Sequence, residues 1–199
     1  MNNSSAAFDY FSSNKLFDSL YSLKTQQLSG KHWTPMAVAQ KASAFLAADP
    51  GSKILDIGSG VGKFCFIAAN LFEKNVFCGI EQRKELINEA EKVKLILEIE
   101  NVSFIHGDFT KLNFDHYQHF YFYNSFFENL VEDEDYLIDN NATNSGLYQH
   151  YTDELHKMLN GRPSGTKVAT YQSDHYEIPV GYQLLESHFN KKLNFWLKK

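Results

Sequence analysis

The chain has 199 residues, with 19 Lys and Arg against 24 Asp and Glu, a formal charge of −5, and 43% hydrophobic and 15% aromatic residues. This supports one domain with a sizeable core and leaves too little chain for two independent catalytic domains. The net negative field disfavours nucleic acid as a partner. The two cysteines, Cys65 and Cys78, sit in apolar runs at a spacing that suits neither a redox pair nor a zinc site. With no basic leader and no apolar run of about 18 residues, the sequence reads as a cytoplasmic protein that does not span a membrane.

In chain order, two helical segments are expected first, over about 7–28 and about 35–48, with Pro35 in a first helical turn and Thr34 as its N-cap. They read as a helical cap or lid over residues 1–50, ahead of a sheet domain over residues 51–199. Strand and helix periods then alternate: strands over 53–57, 76–80 and 102–106, and helices over about 62–72 and about 83–98. A fourth strand, "HFYFYNSF", leads through the acidic "ENLVEDED" to a helical region that "NGRPSG" stops. The last pieces, "TKVATYQS", "GYQLLESHF" and "KLNFWLKK", are strand-like, and "FNKK" makes a hairpin of the final two. The expected architecture is α/β, a mostly parallel sheet flanked by helices with antiparallel character at its C-terminal end.

The chemistry concentrates at strand ends. In "LDIGSGVG" the glycines Gly58, Gly60 and Gly62 follow the first strand, where they permit positive φ and let a ligand approach the backbone. A tight strand-to-helix turn uses glycine for the same reason without any ligand. Glu81, in "GIEQ", ends the second strand 25 residues after Asp56, where a carboxylate accepts hydrogen bonds from a ribose diol or stabilises the following helix N-terminus. Asp108, in "HGDF", ends the third, as an acceptor for a purine amino group or as a turn aspartate. Asp56 repels a pyrophosphate but suits an ammonium group, which favours a sulfonium amino acid nucleoside over NAD. The turn lacks the Lys and hydroxyl ending of a nucleoside triphosphate loop.

"LDIGSGVG", "GIEQ" and "HGDF", in this order, resemble the class I S-adenosylmethionine-dependent methyltransferases. The resemblance implies a Rossmann-like seven-stranded sheet with an antiparallel last strand, and S-adenosyl-L-methionine as cofactor. It implies that Asp56, Gly58 and Gly60 surround the methionine portion, that Glu81 meets the ribose, that Asp108 with Phe109 meets the adenine, and that Ser59 and Gln82 belong to the same cofactor site. "DIGSGVG" together with "NSFF" is similar to the DOT1-type protein-lysine methyltransferases, with Asn124 followed by Ser125 where that group carries two asparagines.

Methyl transfer from a sulfonium is an in-line displacement that depends on alignment, so no catalytic triad is expected. Asn124 is the candidate catalytic residue, contacting the methionine portion or an acceptor nitrogen, with Phe126 or Phe127 walling an apolar channel. Trp33 and Thr34 lie where the N-terminal segment closes over the cofactor. No metal site is expected from the histidines, and the aromatic run Tyr121–Tyr123 reads as a buried strand. The expected function is methyl transfer to a nitrogen or oxygen acceptor on a small molecule or a protein. An NAD-dependent oxidoreductase and a non-catalytic interaction protein of the same fold are the alternatives.

Overall fold

The computed structural model describes residues 9–27, 29–123, 145–173 and 175–199. One seven-stranded sheet organises them: β1 (Lys53–Ile57), β2 (Val76–Glu81), β3 (Val102–His106), β4 (His119–Tyr123), β5 (Lys167–Tyr171), β6 (Tyr182–His188) and β7 (Leu193–Lys198). The order is β3-β2-β1-β4-β5-β7-β6. β1 to β5 run parallel, while β7 pairs antiparallel with both β5 and β6. The expected Rossmann-like sheet with a closing hairpin is what the chain forms. β1 pairs with β2 on one side and β4 on the other, so a crevice opens at the carboxyl ends of β1 and β4, where the order reverses.

Side-chain alternation splits the core in two. Ile54, Phe77, Tyr121 and Ala169 face α4 (Met36–Leu46), α5 (Lys63–Leu71) and α6 (Lys84–Leu97). Leu55, Ile57, Phe120, Phe122 and Trp196 face α7 (Ser145–Asn160). Asp56 shares the parity of Ile54 and therefore points toward α5.

The N-terminal segment differs from the expected long helix. It is broken into a 3-10 turn (Tyr10–Ser12), α1 (Asn14–Asp18), α2 (Leu23–Gln26) and α3 (Ser29–His32). Ser13 and Ser22 account for two of the breaks, since their hydroxyls accept from Leu16 N at 3.3 Å and Thr25 N at 3.3 Å and so act as N-caps. Thr34 does not cap α4 either. Pro35 occupies the cap position, and Met36 N donates instead to Asn14 Oδ1 at 2.9 Å. Phe17, Tyr21, Trp33 and Met36 are buried in the same core as α5.

Candidate cofactor site

The turn after β1 is built by backbone geometry that side chains resist. Gly58, Gly60 and Gly62 have φ of 72°, 54° and 81°. Gly62 is required twice over: a Cβ there would also lie 2.4 Å from the Phe104 ring. At Gly60 a Cβ would meet nothing within 4 Å, so that backbone borders open space.

A shallow, open recess lies against this turn. Asp56, Gly58, Ser59 and Gly60 line it from the sheet side, and His32, Trp33 and Thr34 line it from the N-terminal segment. Six of the expected cofactor residues, Trp33, Thr34, Asp56, Gly58, Ser59 and Gly60, thus border one space. Sequence reasoning missed His32, Val61, Lys63, Phe64, Tyr121 and Tyr123, which line it too. Strand alternation offered a signal for the two tyrosines, since positions 121 and 123 share one face of β4. The Tyr121 ring stacks on Phe64 at 3.8 Å and its hydroxyl meets Thr34 Oγ1 at 3.0 Å.

Two acids at neighbouring strand ends have opposite surroundings. Glu81, 4% exposed, accepts from Gly60 N at 3.1 Å, Arg83 N at 2.9 Å and Arg83 Nε at 3.0 Å. It therefore ties the glycine turn to the start of α6, as the helix-terminus alternative has it, while standing beside the recess. Asp56, 3% exposed, has Cys65 Sγ at 3.5 Å as its one hydrogen-bond donor among the described residues. Burial, reinforced by the Glu81 charge and opposed by the Cys65 hydrogen bond, pushes its carboxyl up to about 8.

The other expected residues lie farther along the sheet edge and do not line the recess. Gln82 Nε2 donates to Tyr151 Oη at 3.2 Å, and the Gln82 carbonyl meets His106 Nε2 at 2.9 Å. Asp108 Oδ1 accepts from Thr110 N at 3.0 Å, the turn role weighed for it. Phe109 is buried on the α7 side, its ring 5.7 Å from that of Tyr151. Asn124, Ser125, Phe126 and Phe127 lie outside the described residues.

The N-terminal segment is fastened to this turn. Lys63, 4% exposed, donates to Asp18 Oδ1 at 2.6 Å and Asn14 Oδ1 at 2.9 Å, and Tyr21 Oη donates to the Val61 carbonyl at 3.0 Å. Burial pulls the Lys63 ammonium below its usual range, against the pull of Asp18.

Ser59 Oγ is buried and has no hydrogen-bond partner among the described residues, and Asp56 is a buried acid that takes its hydrogen bond from a thiol. A polar, cationic ligand would complete this arrangement of one unsatisfied hydroxyl and one acid with a single thiol donor among the described residues. None of the described helices is long and apolar enough to cross a membrane.

Similar folds occur in Thermus thermophilus TrmN, at a TM-score of 0.59 and 14% identity over 87% of this chain and 51% of that one. A Salinibacter ruber RNA methyltransferase in complex with S-adenosyl-L-homocysteine gives 0.55 and 17%, covering 83% of this chain and 91% of that one. The Haloferax volcanii complex between the Trm112 methyltransferase activator and a putative methyltransferase gives 0.50 and 18%, covering 77% and 58%. The chain spans about half the length of the Thermus protein. At these identities the likeness is one of fold. No curated protein matches the sequence. A methyltransferase domain model does match, over residues 48–179, and the chain belongs to that family, the S-adenosylmethionine-dependent methyltransferases of class I.

Proposed function

We propose that the chain binds S-adenosyl-L-methionine in the recess beside the glycine turn and directs its methyl group to a nitrogen or oxygen acceptor. The observation that carries this is Asp56, a buried carboxyl with only a thiol donor, set beside a positive-φ glycine turn. In this reading Asp56 takes the ammonium of the methionine portion, and the backbone at Gly58, Ser59 and Gly60 allows its close approach. Glu81 meets the ribose hydroxyls with the lone pairs that Gly60 and Arg83 leave available. Asp108 faces the adenine in this reading, with Phe109 supporting it from the α7 side and Gln82 beside Glu81 at the cofactor's edge.

The bound cofactor supplies a methyl group on a sulfonium, so the protein's task is alignment and exclusion of water. Trp33 and Thr34 wall the recess from the N-terminal side, which fits a cap formed by residues 1–50. Asn124, directly after β4, aligns the acceptor in this reading. The "DIGSGVG" and "NSFF" pattern supports protein lysine as the first acceptor class to screen, ahead of small amines and alcohols. The net charge of −5 weighs against nucleic acid.

Calorimetric titration with S-adenosylhomocysteine, with NAD as the comparison, tests the cofactor. Saturable binding of the former alone is expected. Binding of NAD in preference would favour an oxidoreductase, and binding of neither would favour a non-catalytic role.

A further inference from the structure

We propose that Cys65 is a positioning residue for Asp56: its thiol, in the first turn of α5, donates to Asp56 Oδ2 across 3.5 Å and so controls how readily Asp56 takes the charged form that holds a ligand's ammonium group. The proposal rests on the reading of Asp56 given above.

The geometry assigns this task to the thiol because it is the hydrogen-bond donor that reaches Asp56 among the described residues, while several other polar groups of the recess are committed elsewhere. Lys63 lines the same recess, but its ammonium is held by Asp18 and Asn14. The hydroxyl of Tyr121, from β4, meets Thr34, and that of Tyr123 donates to Gln172 Oε1 at 3.4 Å. Glu81, from β2, faces Asp56 with a like charge and is itself bonded to Arg83 and Gly60. His32 lines the recess from the N-terminal segment. Ser59 Oγ, buried in the same recess, makes no hydrogen bond among the described residues, a second unsatisfied polar group.

Cys65 is fully buried, and burial together with the nearby Asp56 pushes its thiol well above its usual range, so it remains an S–H donor. A donor to the ionised carboxyl favours ionisation, whereas an apolar neighbour does not. When a ligand ammonium enters, the Asp56 proton passes to solvent and the thiol keeps its own. The Asp56 O–H bond breaks in this step, and no bond between heavy atoms changes.

The test needs no ligand at its first step. The carboxyl carbon of Asp56 is followed by ¹³C NMR against pH in the free protein, in wild type, Cys65→Ala and Cys65→Ser. Cys65→Ala is expected to raise the Asp56 midpoint by about one pH unit, and Cys65→Ser, which retains an O–H donor, to hold it at or below that of wild type. Below the midpoint, one unit corresponds to about tenfold weaker binding of S-adenosylhomocysteine by Cys65→Ala. Coincident midpoints in wild type and folded Cys65→Ala would overturn the proposal. Shifted midpoints without binding of S-adenosylhomocysteine by any form would instead sustain the coupling and overturn the cofactor reading.

Discussion

The carboxyl ends of β1 and β2 carry the same chemical group in opposite states of satisfaction. Glu81 receives two backbone N–H groups and a guanidinium, all within the free protein. Asp56 receives one weak thiol donor and is pushed up to about 8. One end is thus completed by folding, and the other is left for a ligand to complete. A buried polar group without adequate partners costs stability, and such costs gather at functional sites.

The sharpest way to break this contrast is Asp56→Asn. It removes the cation-accepting charge while keeping the shape, and a folded variant should bind S-adenosylhomocysteine about 100-fold more weakly, as expected when one partner of a buried charge pair is lost. Its melting temperature at pH 7 should nevertheless rise by about 5 °C, because the folded state no longer suppresses an ionisation that the unfolded state allows. A fall in both affinity and stability would show that Asp56 is structural. Glu81→Gln should give the opposite sign on stability, lowering the melting temperature by about 5 °C as Arg83 loses its partner, with affinity down about tenfold.

The pH dependence sharpens the same comparison. The folded Asp56 pKa is raised, to about 8, above an unfolded value of about 3.9. Its contribution to stability is therefore fully present below about pH 4 and is lost as pH rises toward about 8. Thermal melts of wild type and Asp56→Asn should converge near pH 4 and separate progressively up to pH 8. A constant gap would mean that Asp56 titrates normally. The smallest effect is expected from Tyr121→Phe, which removes the bond to Thr34 while the ring remains on Phe64: about 1 kcal/mol in urea unfolding, with affinity changed less than about threefold. A larger loss of affinity would place the Tyr121 hydroxyl on the ligand.

The α/β alternation and the closing hairpin were legible because strand and helix periods differ and the first three strands end at glycine or charge. The order of Asp56, Glu81 and Asp108 at successive strand ends was legible for the same reason. The broken N-terminal helix was not, because Ser13 and Ser22 act through their own backbone neighbourhoods inside an otherwise helical pattern. Thr34 read as a cap because a hydroxyl before Pro35 has that local meaning, yet Asn14, 22 residues earlier, serves Met36 and leaves Thr34 to Tyr121. Period alone places Tyr121 on a face of β4 but does not say that Phe64 stacks on it. Nor does it say that Cys65, nine residues beyond Asp56, returns its thiol to that carboxyl. These are contacts between elements, set by how α5 lies on the sheet.

The central claim is that the end of β1 receives a positive charge. Its most direct measurement compares the affinity of the wild-type protein for S-adenosylhomocysteine with that for the analogue lacking only the α-amino group. The account predicts a preference of about 100-fold for the amino form at pH 8, largely abolished in Asp56→Asn. Equal affinity for the two ligands would contradict it.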